Sequence, residues 1–271
     1  PAPETTALRE LILAGTLGAE PPTAGQGDQG DVVAPLLRLD AKARSPRSAS
    51  TLRPLVDWGD MPERSAFYGR EEDLARLDRW LTTDGAGLVV ILGMGGVGKT
   101  TLAAEALARL APHSYDFVVW RSLVNTPPLA VVLDAWLQAL SDQQQDRLPA
   151  TLDEKLALLF AELQDRRCLL ILDNVESIMQ TGVRKGTFRA GYEDYGQLIA
   201  RMGRSRHRSC LLLTTRDLPV GLRRMEEDTS RTRILALEGL SPVAGLQLLR
   251  DRGVVAPSAS LETLVERYSG N

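Results

Sequence analysis

Gly93-Met94-Gly95-Gly96-Val97-Gly98-Lys99-Thr100 fixes how the rest of this chain is read. The octapeptide fits G-x-x-x-x-G-K-[ST], a phosphate-binding loop. Its flanks fit as well. Leu88-Val89-Val90-Ile91-Leu92 upstream is an apolar, β-branched run that reads as a buried strand, and residues 101–110 downstream are rich in strong helix formers. Strand, glycine loop and helix is the order the chemistry needs. Glycine leaves room and adopts backbone angles closed to other residues, so the N–H groups of the loop can converge on phosphate oxygens. The helix that follows points its positive end at the same anion. Gly93, Gly95, Gly96, Val97, Gly98, Lys99, Thr100 and Thr101 are therefore expected to line a nucleotide. Lys99 supplies charge for the β- and γ-phosphates, and the Thr100 hydroxyl is a Mg²⁺ ligand.

Two further segments complete such a site. Leu169-Leu170-Ile171-Leu172-Asp173 is a buried strand ending in an acid, which places a carboxylate beside the phosphates to share the Mg²⁺ with Thr100. The next residue is Asn174, where hydrolytic relatives of this loop often carry a second acid; an amide cannot take a proton from water. Glu176 is the nearest alternative base, so hydrolysis is expected to be slow. Leu213-Thr214-Thr215-Arg216 ends another apolar run with an arginine that would face the γ-phosphate. The catalytic set is thus Lys99, Asp173, Arg216 and Glu176, and the metal pair is Thr100 and Asp173.

From Trp58 onward strand and helix patterns alternate. Strands are expected at 88–92, 116–122, 168–172, 210–215 and 233–237, and helices at 72–81, 101–110, 129–140, 152–163 and 195–202. Continuous apolar strands between helices indicate an α/β fold with a parallel sheet covered on both faces. A phosphate-loop NTPase sheet of five strands orders them 2-3-4-1-5, counting the strand before the loop as the first. Beyond residue 240 the pattern turns purely helical, at 242–252 and 261–268. The division expected is therefore a largely irregular segment and linker at 1–55, a nucleotide-binding domain at 56–240, and the start of a small all-helical lid domain at 241–271. Within the first, 6–17 reads as a short helix and 42–50 as a basic, Ser/Pro-rich linker. The chain opens at Pro1, so its natural N-terminus is expected further upstream.

Composition narrows the classes. A net charge of −3 gives no global attraction to nucleic acid or anionic membrane. No apolar run reaches the ~20 residues of a membrane span. Cys168 and Cys210 each open a strongly apolar run and read as buried thiols, which suits a reducing cytoplasm. With two histidines, a zinc site is not expected. Arg184, Lys185, Arg189, Arg201, Arg204, Arg206 and Arg208 read as a solvated basic face.

The glycine loop, the Leu169–Asp173 acid and Thr214-Thr215-Arg216, in this order, resemble the NB-ARC branch of the STAND family, signal-transducing ATPases of apoptosis and innate immunity. Phe67-Tyr68-Gly69-Arg70-Glu71 resembles the family's adenine-wrapping segment, so Phe67, Tyr68, Gly69 and Arg70 join the nucleotide-binding residues by resemblance. Val56-Asp57-Trp58-Gly59-Asp60, Val119–Leu123, Leu172–Ser177 and Gly191–Leu198 are similar to bacterial members with WD-repeat propellers. The resemblance runs from about Val56 to Asn271. In the family, Ser269-Gly270-Asn271 would continue into Pro-Leu-Ala-Leu, whose proline packs on the adenine. The resemblance implies an ATP/ADP and Mg²⁺ regulatory switch with nucleotide-dependent homo-oligomerisation, an effector at one end and a sensor, a WD-repeat propeller, at the other. Two other readings stay open on the residues alone: an actively hydrolysing AAA+-like motor, and a scaffold holding ADP structurally.

Overall fold

A strand such as Cys168–Asp173 offers water no polar face, so a sheet built from such strands must be covered on both sides. The computed structural model describes residues 55–59, 61–62, 67–141, 148–182 and 185–267. The readings made for residues 1–54, for Asp60, for Arg184 and for 268–271 lie outside the described residues. In chain order the elements are β1 (Leu55–Asp57), α1 (Glu71–Thr82), β2 (Leu88–Leu92), α2 (Lys99–Ser114), β3 (Phe117–Ser122), α3 (Leu129–Leu140), α4 (Leu152–Asp165), β4 (Cys168–Asp173), a 3₁₀ turn (Val175–Ile178), α5 (Glu193–Arg204), β5 (Cys210–Thr215), α6 (Leu222–Asp228), β6 (Thr232–Ala236), α7 (Pro242–Asp251) and α8 (Ser258–Arg267).

All pairings within the sheet are parallel, and the strands lie in the order β1-β3-β4-β5-β2-β6. Side chains alternate between the faces as the pleat requires. Cys168, Leu170 and Leu172 of β4 enter a core shared with α3, α4, α5 and α6, where Trp136, Phe160 and Tyr195 are the large buried side chains. Leu169 and Ile171 enter the opposite core with α1, α2 and the buried Trp120. Cys168 and Cys210 are both buried free thiols, each pushed up to about 12 by burial. Among the described residues no helix is long and apolar enough to cross a membrane.

The five expected strands form in the expected relative order, but among the described residues the sheet has six. The additional β1 is three residues long and carries no usable periodicity. It adds to the β3 edge through backbone pairing and is pinned by an ion pair between Asp57 and Arg121 of β3. Gly59 then passes so close to β3 that a Cβ there would lie 2.4 Å from the Trp120 carbonyl oxygen. Helix α6 also escapes the periodicity, because only Leu222 and Met225 of its seven residues are buried. The basic stretch is not uniformly solvated: Arg189 lies over the Tyr192 ring and Arg201 stacks on Phe160 at 4.0 Å, while Arg204, Arg206 and Arg208 are exposed. Past β6, α7 and α8 pack against each other, with Gly245 so close to Val265 that a Cβ would lie 2.7 Å from its Cγ1.

One buried hydroxyl joins the start of β4 to the helix before it. Ser209 is fully buried; its Oγ accepts from the Cys168 N–H at 2.9 Å and donates to the Arg166 carbonyl at 2.9 Å. Ser209→Ala strands that N–H and is expected to lower stability by about 1–3 kcal/mol. A urea titration checks this: the midpoint should fall with an unchanged slope, and an unmoved midpoint would show the bond to be dispensable.

Candidate functional site

The parallel sheet brings the carboxyl ends of β2, β4 and β5 side by side, where open α/β sheets build their crevices. At the end of β2 the chain turns through Gly93–Gly98 into α2. Gly96 (φ +81°) and Gly98 (φ +95°) take left-handed backbone that strains any other residue. Gly93 is required for space, since a Cβ there would lie 2.7 Å from the Leu237 carbonyl oxygen; a Cβ on Gly95 would lie 2.6 Å from Cζ of Arg216, an exposed side chain that can give way. Val97 points down into the core and anchors the loop, while Met94 faces solvent. Among the described residues α2 has neither a side-chain cap nor an acid in its first turn, so its positive end is not neutralised from within.

Lys99 is 6% exposed, and its Nζ donates to the carbonyls of Gly93 and Met94, both at 2.9 Å. Burial depresses its pKa; Glu176 and Asp173 pull it upward and Arg216 pushes it down. Thr100, next on the helix, donates its hydroxyl to Oδ1 of Asp173 at 2.9 Å. Asp173, 3% exposed at the end of β4, also accepts from the Thr214 hydroxyl of β5, and from Nδ2 of Asn174 at 2.8 Å through its other oxygen. Burial raises the Asp173 pKa, and the bonds from Thr214 and Thr100 oppose that rise. Asn174 sits in left-handed backbone (φ 61°) and donates its own N–H to Thr214 Oγ1 at 3.0 Å. A carboxylate at position 174 would face Asp173 instead of steadying it. Thr101 follows on α2, half-buried.

Glu176 lies on the 3₁₀ turn after β4. Its Oε1 pairs with Nε of Arg216 at 3.0 Å, and its buried Oε2 has no hydrogen-bond partner among the described residues. The acid is 16% exposed and the arginine 60%. Lys99, Thr100, Asp173, Glu176 and Arg216 are thus gathered around one glycine loop.

The segment at 67–70 reaches the same loop from the side. Phe67 packs on the α1–α2 core beneath Arg109. The Tyr68 hydroxyl donates to Asp251 at 2.7 Å, at the end of α7. Gly69 (φ +59°) lies where a Cβ would be 2.4 Å from Ala244 Cβ. Arg70 is buried, and its guanidinium donates to the Val97 carbonyl at 3.2 Å and to the Glu238 carbonyl in the connector from β6 to α7. Three contributions were missed from sequence: Thr214, the Asn174 amide as an orienter of Asp173, and the Arg70 bridge. The register Leu172↔Leu213 puts Asp173 opposite Thr214, so strand pairing was the signal that could have found the first.

The residues fit a Mg²⁺-nucleotide. The uncapped amino end of α2 and the Lys99 ammonium bring positive charge to the glycine loop, and the hydroxyl and carboxylate of Thr100 and Asp173 are hard oxygen donors in contact with each other. Among the described residues no three His, Cys, Asp or Glu side chains converge, so such a cation would draw its remaining ligands from phosphate and water.

The profile of the NB-ARC domain matches residues 70–251. A WD repeat-containing protein of Nostoc sp. is 40% identical over 237 residues, which is 84% of this chain and 19% of the relative. The regulatory protein AfsR of Streptomyces griseus is 30% identical over 62% of this chain and 18% of its own length. A putative disease resistance protein of Arabidopsis thaliana is 31% identical over 36% of this chain and 27% of its own. The chain therefore spans about a fifth to a quarter of the length of these relatives. Among solved structures, a Pyrococcus horikoshii signal transduction ATPase with numerous domains, bearing a tetratricopeptide repeat sensor, matches with a TM-score of 0.53 at 18% identity, over 78% of this chain and 29% of that one; it shares the fold. With the glycine loop, the buried acid and the strand-end arginine all inside the matched residues, the chain belongs to the NB-ARC domain family.

Proposed function

We propose that this domain is an ATP/ADP-binding regulatory switch that hydrolyses ATP slowly and, within a longer protein, couples the bound nucleotide to self-assembly. The observation that carries this reading is the meeting of Lys99, Thr100, Asp173 and Arg216 at one glycine loop. Lys99 and the amino end of α2 would hold the phosphates. Thr100 and Asp173 would hold the Mg²⁺, which when bound offsets phosphate charge. Arg216, on a long exposed side chain beside Gly95, would answer to a terminal phosphate. Adenine would be met by the 67–70 segment, whose side chains are largely committed to the protein and leave backbone to read the base.

Slow turnover is supported by the state of the residues near Asp173. The Asn174 amide is occupied as a donor to that carboxylate, and Glu176 is occupied by Arg216. A fast motor needs an unencumbered acid beside the attacking water. Regulation is supported by the strap: Arg70 joins the loop at Val97 to the connector at Glu238, so a change at the phosphates has a direct route to α7. A WD-repeat sensor is part of the same proposal, motivated by the name of the Nostoc relative, and a regulatory role by those of the Streptomyces and Arabidopsis relatives; an effector, self-association and a cytoplasmic location join it through the family resemblance alone. The lid-domain boundary near residue 241 belongs with them, supported by the mutual packing of α7 and α8.

Three outcomes are expected. Lys99→Ala weakens a fluorescent ADP analogue by about tenfold to a hundredfold with the fold intact, and unchanged affinity would remove the phosphate assignment. Asp173→Asn abolishes the Mg²⁺ dependence of binding, yet without ligand it melts about 2–4 °C higher, since burial makes the lost charge costly and the Asn174 amide can turn over to accept. A lower melting point would mean that the carboxylate stabilises the free protein. Wild-type turnover falls ~10²–10⁴-fold below the ~10 s⁻¹ of a typical enzyme, and several turnovers per second in a phosphate-release assay would favour a motor.

A further inference from the structure

The ion pair between Glu176 and Arg216 is not required by phosphate binding, and its two ends differ. Glu176 is 16% exposed, short, and fixed on the turn that follows β4. Arg216 is 60% exposed, and its guanidinium rests where a Cβ of Gly95 would lie, over the glycine loop. The acid is anchored and the arginine is free to swing. We propose that Glu176 is a positioning residue that sets the preference between nucleoside diphosphate and triphosphate, by holding Arg216 as its counter-ion until a terminal phosphate takes its place.

The proposal rests on the nucleotide-binding reading and adds to it a residue with a defined role. A terminal phosphate carries more charge than one carboxylate and offers the guanidinium more acceptor oxygens, so it wins the competition when present. A diphosphate lacks that group and leaves Arg216 with Glu176. Arg216 is therefore paired in both states, and the triphosphate gives up part of its binding energy to break the pair. Only a ligand with a differential interaction can shift a two-state element, and this exchange supplies one. The Glu176 carboxylate also stands within electrostatic reach of Lys99, which places the ion pair beside the glycine loop and not on a remote surface. Its unpartnered Oε2 is consistent with an acid whose hydrogen bonds are not all committed to the fold.

The test is a double-mutant cycle on nucleotide affinity. Dissociation constants for ADP and for a slowly hydrolysed ATP analogue are measured by calorimetry on wild type, Glu176→Gln, Arg216→Ala and the double variant, with Glu176→Ala as a second truncation and a melting curve for each. Glu176→Gln should raise the ratio of triphosphate to diphosphate affinity about five-fold, chiefly by tightening the triphosphate. In the Arg216→Ala background the same change should do nothing. A ratio that stays within wild-type error in both Glu176 variants, with both nucleotides still bound, overturns the proposal and leaves the nucleotide site standing. An equal shift with and without Arg216 overturns it as well. Turnover that falls in Glu176→Gln with both affinities unchanged would make Glu176 a general base instead. Wild-type protein that binds neither nucleotide would remove the underlying reading and the proposal together.

Discussion

A carboxylate buried at the end of a strand is the constraint on which this site depends. Asp173 is almost wholly out of water, and an ionised acid there is costly unless hydrogen bonds replace its hydration. Three donors do so, each from a different place: Thr100 from the first turn of α2, Thr214 from β5, and Asn174 from the turn after β4. To supply them, the glycine loop must end where it does and β5 must pair with β4 in its observed register. The left-handed backbone at Asn174 must also be kept, because it lets the residue donate both its N–H to Thr214 and its amide to Asp173. Burial raises the Asp173 pKa against the opposing pull of the Thr214 and Thr100 donors. A cation carried in with phosphates would complete what the hydroxyls leave unfinished.

The two apolar cores serve this arrangement from either side of the sheet. Strand residues alternate between them without interruption, so β4 and β5 are stiff up to the last apolar position and deliver Asp173 and Thr214 to the rim. The glycine loop is steadied by Val97 from below and by Arg70 from the side. Because the same guanidinium reaches the Glu238 carbonyl, loop and connector share one cationic tie, and Tyr68 adds a second link to α7 through Asp251. The glycine loop and α7 are thus joined through a few polar contacts on an otherwise rigid sheet.

What the sequence revealed follows the same division. Strands β2, β4 and β5 were legible because a run such as Leu88–Leu92 is too apolar to lie anywhere but inside a sheet, and Gly98-Lys99-Thr100 marked the turn from strand into helix. The boundaries of α3 matched to the residue, since its apolar positions recur from Leu129 to Leu140. β1 was not legible, because three residues held by backbone pairing and by one ion pair with Arg121 leave no pattern in the chain. Nor was the role of Arg70: its acceptors are backbone carbonyls 27 and 168 residues away, and no residue identity records a carbonyl. Asn174 was read by what it lacks as an acid, whereas in the fold it acts through what it donates. Local periodicity and residue chemistry are written in sequence; pairings that exist only after the strands have met are not.

The most direct test of this picture is electron paramagnetic resonance with Mn²⁺ standing in for Mg²⁺. With ADP present, one Mn²⁺ per chain should lose its free-ion signal on adding protein. Without nucleotide the signal should stay that of the free ion, and in Asp173→Asn with nucleotide it should stay that of Mn²⁺ and ADP without protein. Binding that is equally tight without nucleotide, or that survives the loss of the Asp173 charge, would contradict the assignment of Thr100 and Asp173 as the pair that holds the cation beside a phosphate.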